Sequence, residues 1–259
     1  AYAASAEECD QNFVAVSYDT KPVLPAKLTL GYLYRRVDDT RGAEAMTRLA
    51  VEALIDGDMR DALNDDEYED FAVDFPTTEA DRARIAELAQ SVLQDRVDEQ
   101  FAVYDDELRE IYDWAVGISE AHQDEDEEFR ALMQQASAGD DEALAAIRDR
   151  YKFGEFDEQP AVFDPEDLEL PYLKTQYDRV GVIYDGMMEM YRAAGFEIET
   201  AFKRSIVLAI IGAQIWLDDL DDYDADLADG QLTPVTAEYL LADSGDAARR
   251  AVVEISEAC

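Results

Sequence analysis

Histidine occurs once in this chain, at His122, and cysteine twice, at Cys9 and Cys259. Two cysteines that far apart in sequence make neither a disulfide framework nor a zinc site, and one histidine leaves little material for a His-based metal centre or catalytic triad. Lysine is scarce as well, with 5 Lys beside 17 Arg, and the 22 basic residues face 62 acidic ones for a formal charge of −40. That imbalance argues against nucleic acid and against anionic membrane surfaces, both of which are bound by Lys and Arg neutralising phosphate. Long apolar runs are missing too. The longest uncharged stretch, Ser205 to Leu217, is too short to cross a bilayer, so no stable membrane insertion is expected. The opening AYAASAEECDQNF has neither the basic nor the apolar region of a secretory leader, and a cytoplasmic protein is expected.

What remains is a folded chain under an acidic surface. Hydrophobic residues reach 48% and aromatics 10%, too many for a disordered acidic tail. An acid excess spread along the whole length resembles the surface of a protein from a high-salt cytoplasm, where screening limits self-repulsion. The 259 residues are expected to form a single domain, 1–259.

Periodicity predicts an all-α fold. A helix is expected from near Pro25 into Asp38 and Asp39, with Gly42 interrupting it and a second helix over Ala43 to Leu54. Thr77 or Thr78 is the expected N-cap of a helical region over 79–118, one helix or two, whose apolar face reads Ile85, Leu88, Val92, Val97, Phe101, Leu108, Ile111 and Trp114. HQDEDEEF, 122–129, reads as a solvated turn or helix start that leaves His122 in water. A pair of shorter helices split by Gly139 follows to about Tyr151. Residues 152–171 hold three Pro and one Gly and read as an irregular connection that could line or cap a site. Helices over Tyr172 to Ala194, Ile198 to about Ala228, and Thr236 to the end complete the pattern.

The junction of the apolar run SIVLAIIGAQIWL with DDLDDYDADLADGQLTP carries the functional signal. Seven Asp stand among the twelve residues 218–229, well above the average acid content of the chain. Continued as one helix, Asp218, Asp222, Asp226 and Asp229 form a stripe that extends into Val207, Ile211 and Gln214. Like charges at i, i+4 and i+8 repel, so the stripe suits a cavity holding divalent cations better than a solvated face.

IIGAQIWLDDLDDYDADLADGQLTPV resembles the second aspartate-rich region of the class I isoprenoid diphosphate synthases, a family that includes polyprenyl, squalene and phytoene synthases. Asp218, Asp219 and Asp222 match its DDxxD form. Asp222 and Asp226, with Gly230 and Pro234, match the DxxxD, Gly, Pro form. Lys174-Thr175 resembles the Lys-Thr pair that holds diphosphate, and Gln214 resembles the Gln that faces the prenyl chain. Near the N-terminus, Asp38-Asp39, preceded by Arg35-Arg36, stand where the family has its first acidic motif, with Gly42 in place of a further acid and Glu44 close by.

The resemblance implies a helical bundle around a central cavity and a Mg²⁺-dependent synthase acting on prenyl diphosphates by transfer, condensation or cyclisation. A homodimer is compatible with it. Asp38, Asp39, Asp218, Asp219, Asp222 and Asp226 would hold Mg²⁺; Arg35, Arg36, Lys174 and Thr175 would hold diphosphate, and Gln214 the chain. Mg²⁺ takes hard oxygen ligands, and Arg and Lys bind phosphate directly. A dry pocket for a carbocation would draw on Tyr32, Tyr34, Tyr177, Tyr184, Met187 and Met188, residues that serve equally as helix-packing core. For Arg35 and Arg36 the competing role is a local ion pair with Asp38 or Asp39. The competing reading of the whole chain is a non-catalytic helical binding or scaffold protein.

Overall fold

The computed structural model describes residues 16–17, 29, 31–33, 35–36, 40–64, 72–73, 78–104, 106–215 and 219–258. Asp38, Asp39, Asp218, Tyr34 and most of the helix expected from Pro25 lie outside the described residues. Within them the expected all-α class is observed. The one exception is a two-residue antiparallel ladder, β1 (Val16–Ser17) with β2 (Ala72–Val73), in which Val16 faces Val73. The chain forms two compact units, Ala1–Ile111 with Glu189–Glu197 and Tyr112–Met188 with Ile198–Cys259.

The first unit is built on two long helices, α1 (Thr40–Asn64) and α2 (Glu79–Phe101). Gly42 does not interrupt α1, whose buried Ala43, Met46, Ala50 and Ala53 recur at three to four residues through that region. Opposite them α2 buries Ile85, Ala86, Ala89, Leu93, Val97 and Phe101. Leu88 and Val92, expected on this face, are only half-buried, and the inward stripe runs through alanines instead. Alanine lets two helix backbones approach closely, so the packed face follows the small residues. Arg96 pairs with Glu52 at 2.5 Å and Gln90 donates to Asp56 at 3.3 Å to join the same two helices. Thr78 caps α2 as expected: its hydroxyl accepts from the Asp81 amide at 3.1 Å while Asp81 accepts in return. That bond to Thr78 holds the Asp81 carboxyl below the usual range.

The region 79–118 is two helices, α2 and α3 (Asp106–Asp124). In the second unit α4 (Asp126–Ser137) and α5 (Asp141–Ala146) are split at Gly139, whose φ of +88° supplies the expected break. A wide π-helical turn, 147–152, follows α5, and a second, 177–181, lies between α6 (Leu173–Gln176) and α7 (Val182–Ala193). Then come α8 (Thr200–Ala213), α9 (Tyr223–Asp229), α10 (Pro234–Leu241) and α11 (Gly245–Ala258). Tyr177, Tyr184, Met187 and Met188 are core, each no more than 7% exposed.

Two further expectations fail. The last helix is divided by 242–244 into α10 and α11, and the helix expected from Ile198 to Ala228 is broken after α8. Asp219 donates its amide to the Gln214 carbonyl at 3.0 Å, residues 219–222 are not helical, and α9 starts only after Asp222. Asp is a poor helix former, and stacked carboxylates repel, so the acidic run cannot sustain one continuous helix. Gly230, with φ +72°, ends α9 by donating to the Asp226 carbonyl, and a Thr233/Thr236 capping box with Pro234 starts α10.

Inside the second unit, Lys203 of α8 and Asp185 of α7 form an ion pair whose side chains are both 4% exposed, and Tyr177 Oη donates to the other Asp185 oxygen at 2.7 Å. Charges that deep are tolerated only as partners. Lys203→Met is expected to cost about 3–5 kcal/mol by leaving a buried carboxylate without its cation. Lys203→Met combined with Asp185→Asn is expected to cost less than Lys203→Met alone in denaturant unfolding. A double variant at least as unstable as the single one would contradict this electrostatic account.

Candidate functional site

The second unit gathers a group of charges around the turn 177–181. Arg179 lies on that turn, and its Nη1 reaches Asp219 Oδ1 at 3.0 Å. Asp219 is 2% exposed. Lys174, on α6, pairs with Asp178 Oδ2 at 2.6 Å. Burial pushes the Asp178 carboxyl above its usual range, and Lys174 opposes that shift. On α3, Ser119 Oγ donates to the Arg179 carbonyl at 3.1 Å, and His122, one turn on, is 7% exposed with Phe129 beside it at a centroid distance of 6.0 Å. Burial, then Arg179, then Lys174 lower the His122 pKa to about 4. The imidazole is therefore neutral at pH 7, and both cations lie within electrostatic reach of it.

Local backbone explains how the cluster forms. The π turn adds a residue to the helical circuit and so re-aims the side chains that follow it. Gly181 ends the turn where a Cβ would stand 3.1 Å from Ile211 of α8, so glycine permits the close approach of turn and helix. The connection 153–171 closes at its neck, where Tyr172 donates its amide to the Lys152 carbonyl at 2.6 Å. Gly154 lies against this neck: a Cβ there would meet the Arg150 carbonyl oxygen at 2.5 Å and the Lys174 stem at 3.3 Å. Tyr172 adopts φ +62°, costly for a non-glycine residue, and is over-determined by burial and by its Oη donating to Glu238 at 2.6 Å. Lys152 neutralises the same Glu238 oxygen at 2.6 Å, and burial pushes the Tyr172 hydroxyl far up. Arg204 of α8 grips Asp167 with both a 2.6 Å Nε bond and an Nη2 bond, anchoring the far side of the connection.

The residues singled out from sequence are distributed unevenly. Lys174 belongs to the cluster directly, and Asp219 joins it through Arg179. Thr175, one residue on, is 4% exposed and donates its hydroxyl to the Tyr151 carbonyl at 2.7 Å, so it closes the packing of α6. Gln214 caps α8, half-buried, and its carbonyl holds the Asp219 amide. Asp222 is exposed just before α9 and Asp226 half-buried on it, a helix that buries no residue. With the helix broken, the stripe expected to run from Asp218 to Asp229 and on into Val207 and Ile211 is not one helical face. In the first unit Arg35 and Arg36 are exposed in a turn, and the Arg36 guanidinium stacks on Tyr32 at 3.8 Å. Among the described residues no three acidic, histidine or cysteine side chains converge on a point that could hold a metal ion.

Sequence reasoning missed Arg179 and misplaced His122. The inward face of α3 runs Leu108, Tyr112, Ala115, Ser119, His122, and following that spacing past the acidic run would have put His122 inside. Arg179 had a weaker signal, a second cation five residues after Lys174 in a chain with 22.

No family model, no curated protein and no solved structure matches this chain.

His122 makes stability depend on pH in a stated direction. Its folded pKa of about 4 lies below the ordinary value of 6.5, so the unfolded chain takes up the proton first. The contribution is intact above the ordinary value and is lost as pH falls toward the folded one. Between pH 7 and 5 the wild type should lose up to about 2 kcal/mol relative to His122→Phe, at ~1.4 kcal/mol per pH unit below the ordinary pKa. Denaturant midpoints of the two proteins that fall in parallel would show an unperturbed histidine.

Proposed function

We propose that this chain is a prenyl diphosphate-utilising enzyme of the class I isoprenoid synthase kind, acting by prenyl transfer, condensation or cyclisation. The observation that carries the reading is that Arg179 reaches Asp219, at the start of the aspartate-rich segment, while Lys174 lies five residues before Arg179 and both cations act on His122, in a protein of charge −40 where an anion is otherwise repelled. In such an enzyme the allylic carbon–oxygen bond breaks heterolytically. The electron pair leaves with the diphosphate and the carbon becomes a carbocation. Fixed cations against the departing oxygens lower that barrier, and Arg and Lys both serve.

Lys174 and Arg179 take the role of diphosphate ligands in this proposal. Thr175 takes none, since its hydroxyl is held by Tyr151. Mg²⁺ is proposed as the companion of the diphosphate, with its ligands among Asp38, Asp39, Asp218, Asp219, Asp222 and Asp226. The described acids do not form a ligand set by themselves, and a bound Mg²⁺ would supply positive charge to the diphosphate.

A second reading, a non-catalytic binding or scaffold protein, is favoured by a specific observation. Two residues of the resemblance serve the interior: Thr175 is committed to Tyr151 and Asp219 lies sealed behind Arg179.

Calorimetric titration of a prenyl diphosphate, with and without Mg²⁺, combined with an assay for released diphosphate separates the two. The enzyme reading expects binding that Mg²⁺ tightens, with release only when Mg²⁺ is present, and weakening by about tenfold or more in Lys174→Gln and in Arg179→Gln, the size of one charge-assisted hydrogen bond. Binding without release would favour the second reading, and no binding at all would overturn the first.

A further inference from the structure

Both cations of the cluster lie nearer to solvent than the carboxylates they neutralise. The Arg179 side chain is 37% exposed and that of Asp219 1%; for Lys174 and Asp178 the values are 32% and 16%. Each carboxylate thus lies behind its cation, and an anion arriving from solvent meets the cation first. A carboxylate and a phosphate both accept N–H donors from a guanidinium, and Asp219 accepts one from Arg179 Nη1. They are therefore competitors for Arg179. The competition is unequal, because a diphosphate carries more charge than one carboxylate and can meet Lys174 as well.

We propose that Asp219 is an internal stand-in for the substrate's oxyanion: it holds Arg179 in position until a diphosphate takes the guanidinium and frees the carboxylate. This deepens the proposed function and rests on it for the identity of the anion. The exchange solves two problems at once. A buried carboxylate needs a cation in the absence of substrate, and a diphosphate site needs an ordered one before substrate arrives. Arg179 comes from a turn whose carbonyl is held by Ser119, so the backbone that carries it is fixed while its guanidinium changes partner. Asp219 sits at the start of the aspartate-rich segment, where a freed carboxylate adds to the acids available for a cation accompanying the diphosphate. Arg179 is a positioning residue for Asp219 before binding and an anion ligand after it.

The test is calorimetry with inorganic diphosphate and no Mg²⁺, at a KCl concentration where the protein is folded. Asp219→Asn, nearly isosteric, removes the competitor and is expected to tighten binding by about threefold to tenfold, while Arg179→Gln weakens it by about tenfold or more. Asp221→Asn removes the same charge from an exposed position two residues away and is expected to change affinity by less than about twofold, as surface charges do. Asp219→Asn binding no tighter than wild type, or Asp221→Asn tightening it equally, overturns the proposal; so does a wild type that binds no diphosphate. Should Asp219→Asn fail to fold, Arg179→Lys decides, because it keeps the charge and loses the planar fork. Affinity intermediate between wild type and Arg179→Gln supports the exchange, and equal affinity in all three overturns it. Turnover of a prenyl diphosphate on the same samples separates the two proposals. The Asp219→Asn gain without diphosphate release leaves the exchange standing and removes the enzyme, and release without the gain does the reverse.

Discussion

Every described carboxylate buried in the second unit lies against a cation, in a chain with few cations to place. Asp167 meets Arg204, Asp185 meets Lys203, Asp219 meets Arg179 and Glu238 meets Lys152. The lysines make the point most sharply. All three that are described, Lys152, Lys174 and Lys203, hold an acid of the same unit. A surface this acidic could have used them to relieve repulsion outside, where an exposed pair contributes about 0–1 kcal/mol. Placed inside they prevent a penalty several times larger, that of a buried and unneutralised carboxylate. Once placed, Lys152 and Lys203 specify the arrangement, because their pairs with Glu238 and Asp185 join separate segments and leave a partner stranded in any other packing, whereas Lys174 and Asp178 are one turn apart.

The backbone devices follow from the same requirement. Both wide turns deliver a cation: Lys152 ends the first and Arg179 lies within the second. A regular helix repeats its faces every 3.6 residues and would carry these side chains elsewhere, so an extra residue in the turn changes which partner each can reach. The irregular 153–171 connection is held by the same pairs at both sides, through Tyr172 and Glu238 at its neck and Arg204 and Asp167 farther round. The fixed neck brings Lys174 to the cluster. What the chain loses in regularity it recovers in charge placement.

The elements legible from sequence were those governed by local rules. The Thr78 cap, the break at Gly139, the irregular 152–171 stretch and the helical class all rest on residue chemistry within a few positions. Long-range choices were not legible. The α1–α2 seam follows alanines that carry little hydrophobic signal, and Trp114, a strong apolar mark, is 44% exposed. The acidic run read as one helical stripe because its repulsion was assigned to a cation site; in the structure residues 219–222 are not helical, and among the described acids of the run Asp219 is the buried one, behind Arg179. Lys174 was legible as a scarce cation near a motif, whereas Arg179 became visible only when folding brought it to an aspartate forty positions away.

In the proposed exchange Lys174 and Arg179 form an oxyanion site for which Asp219 substitutes when no anion is bound. Diffraction from matched crystals with and without diphosphate tests it most directly. Anion density is expected against Lys174 and Arg179, with the Asp219 carboxylate withdrawn from the guanidinium. Diphosphate bound elsewhere, or bound here with the Arg179–Asp219 pair unchanged, would contradict it.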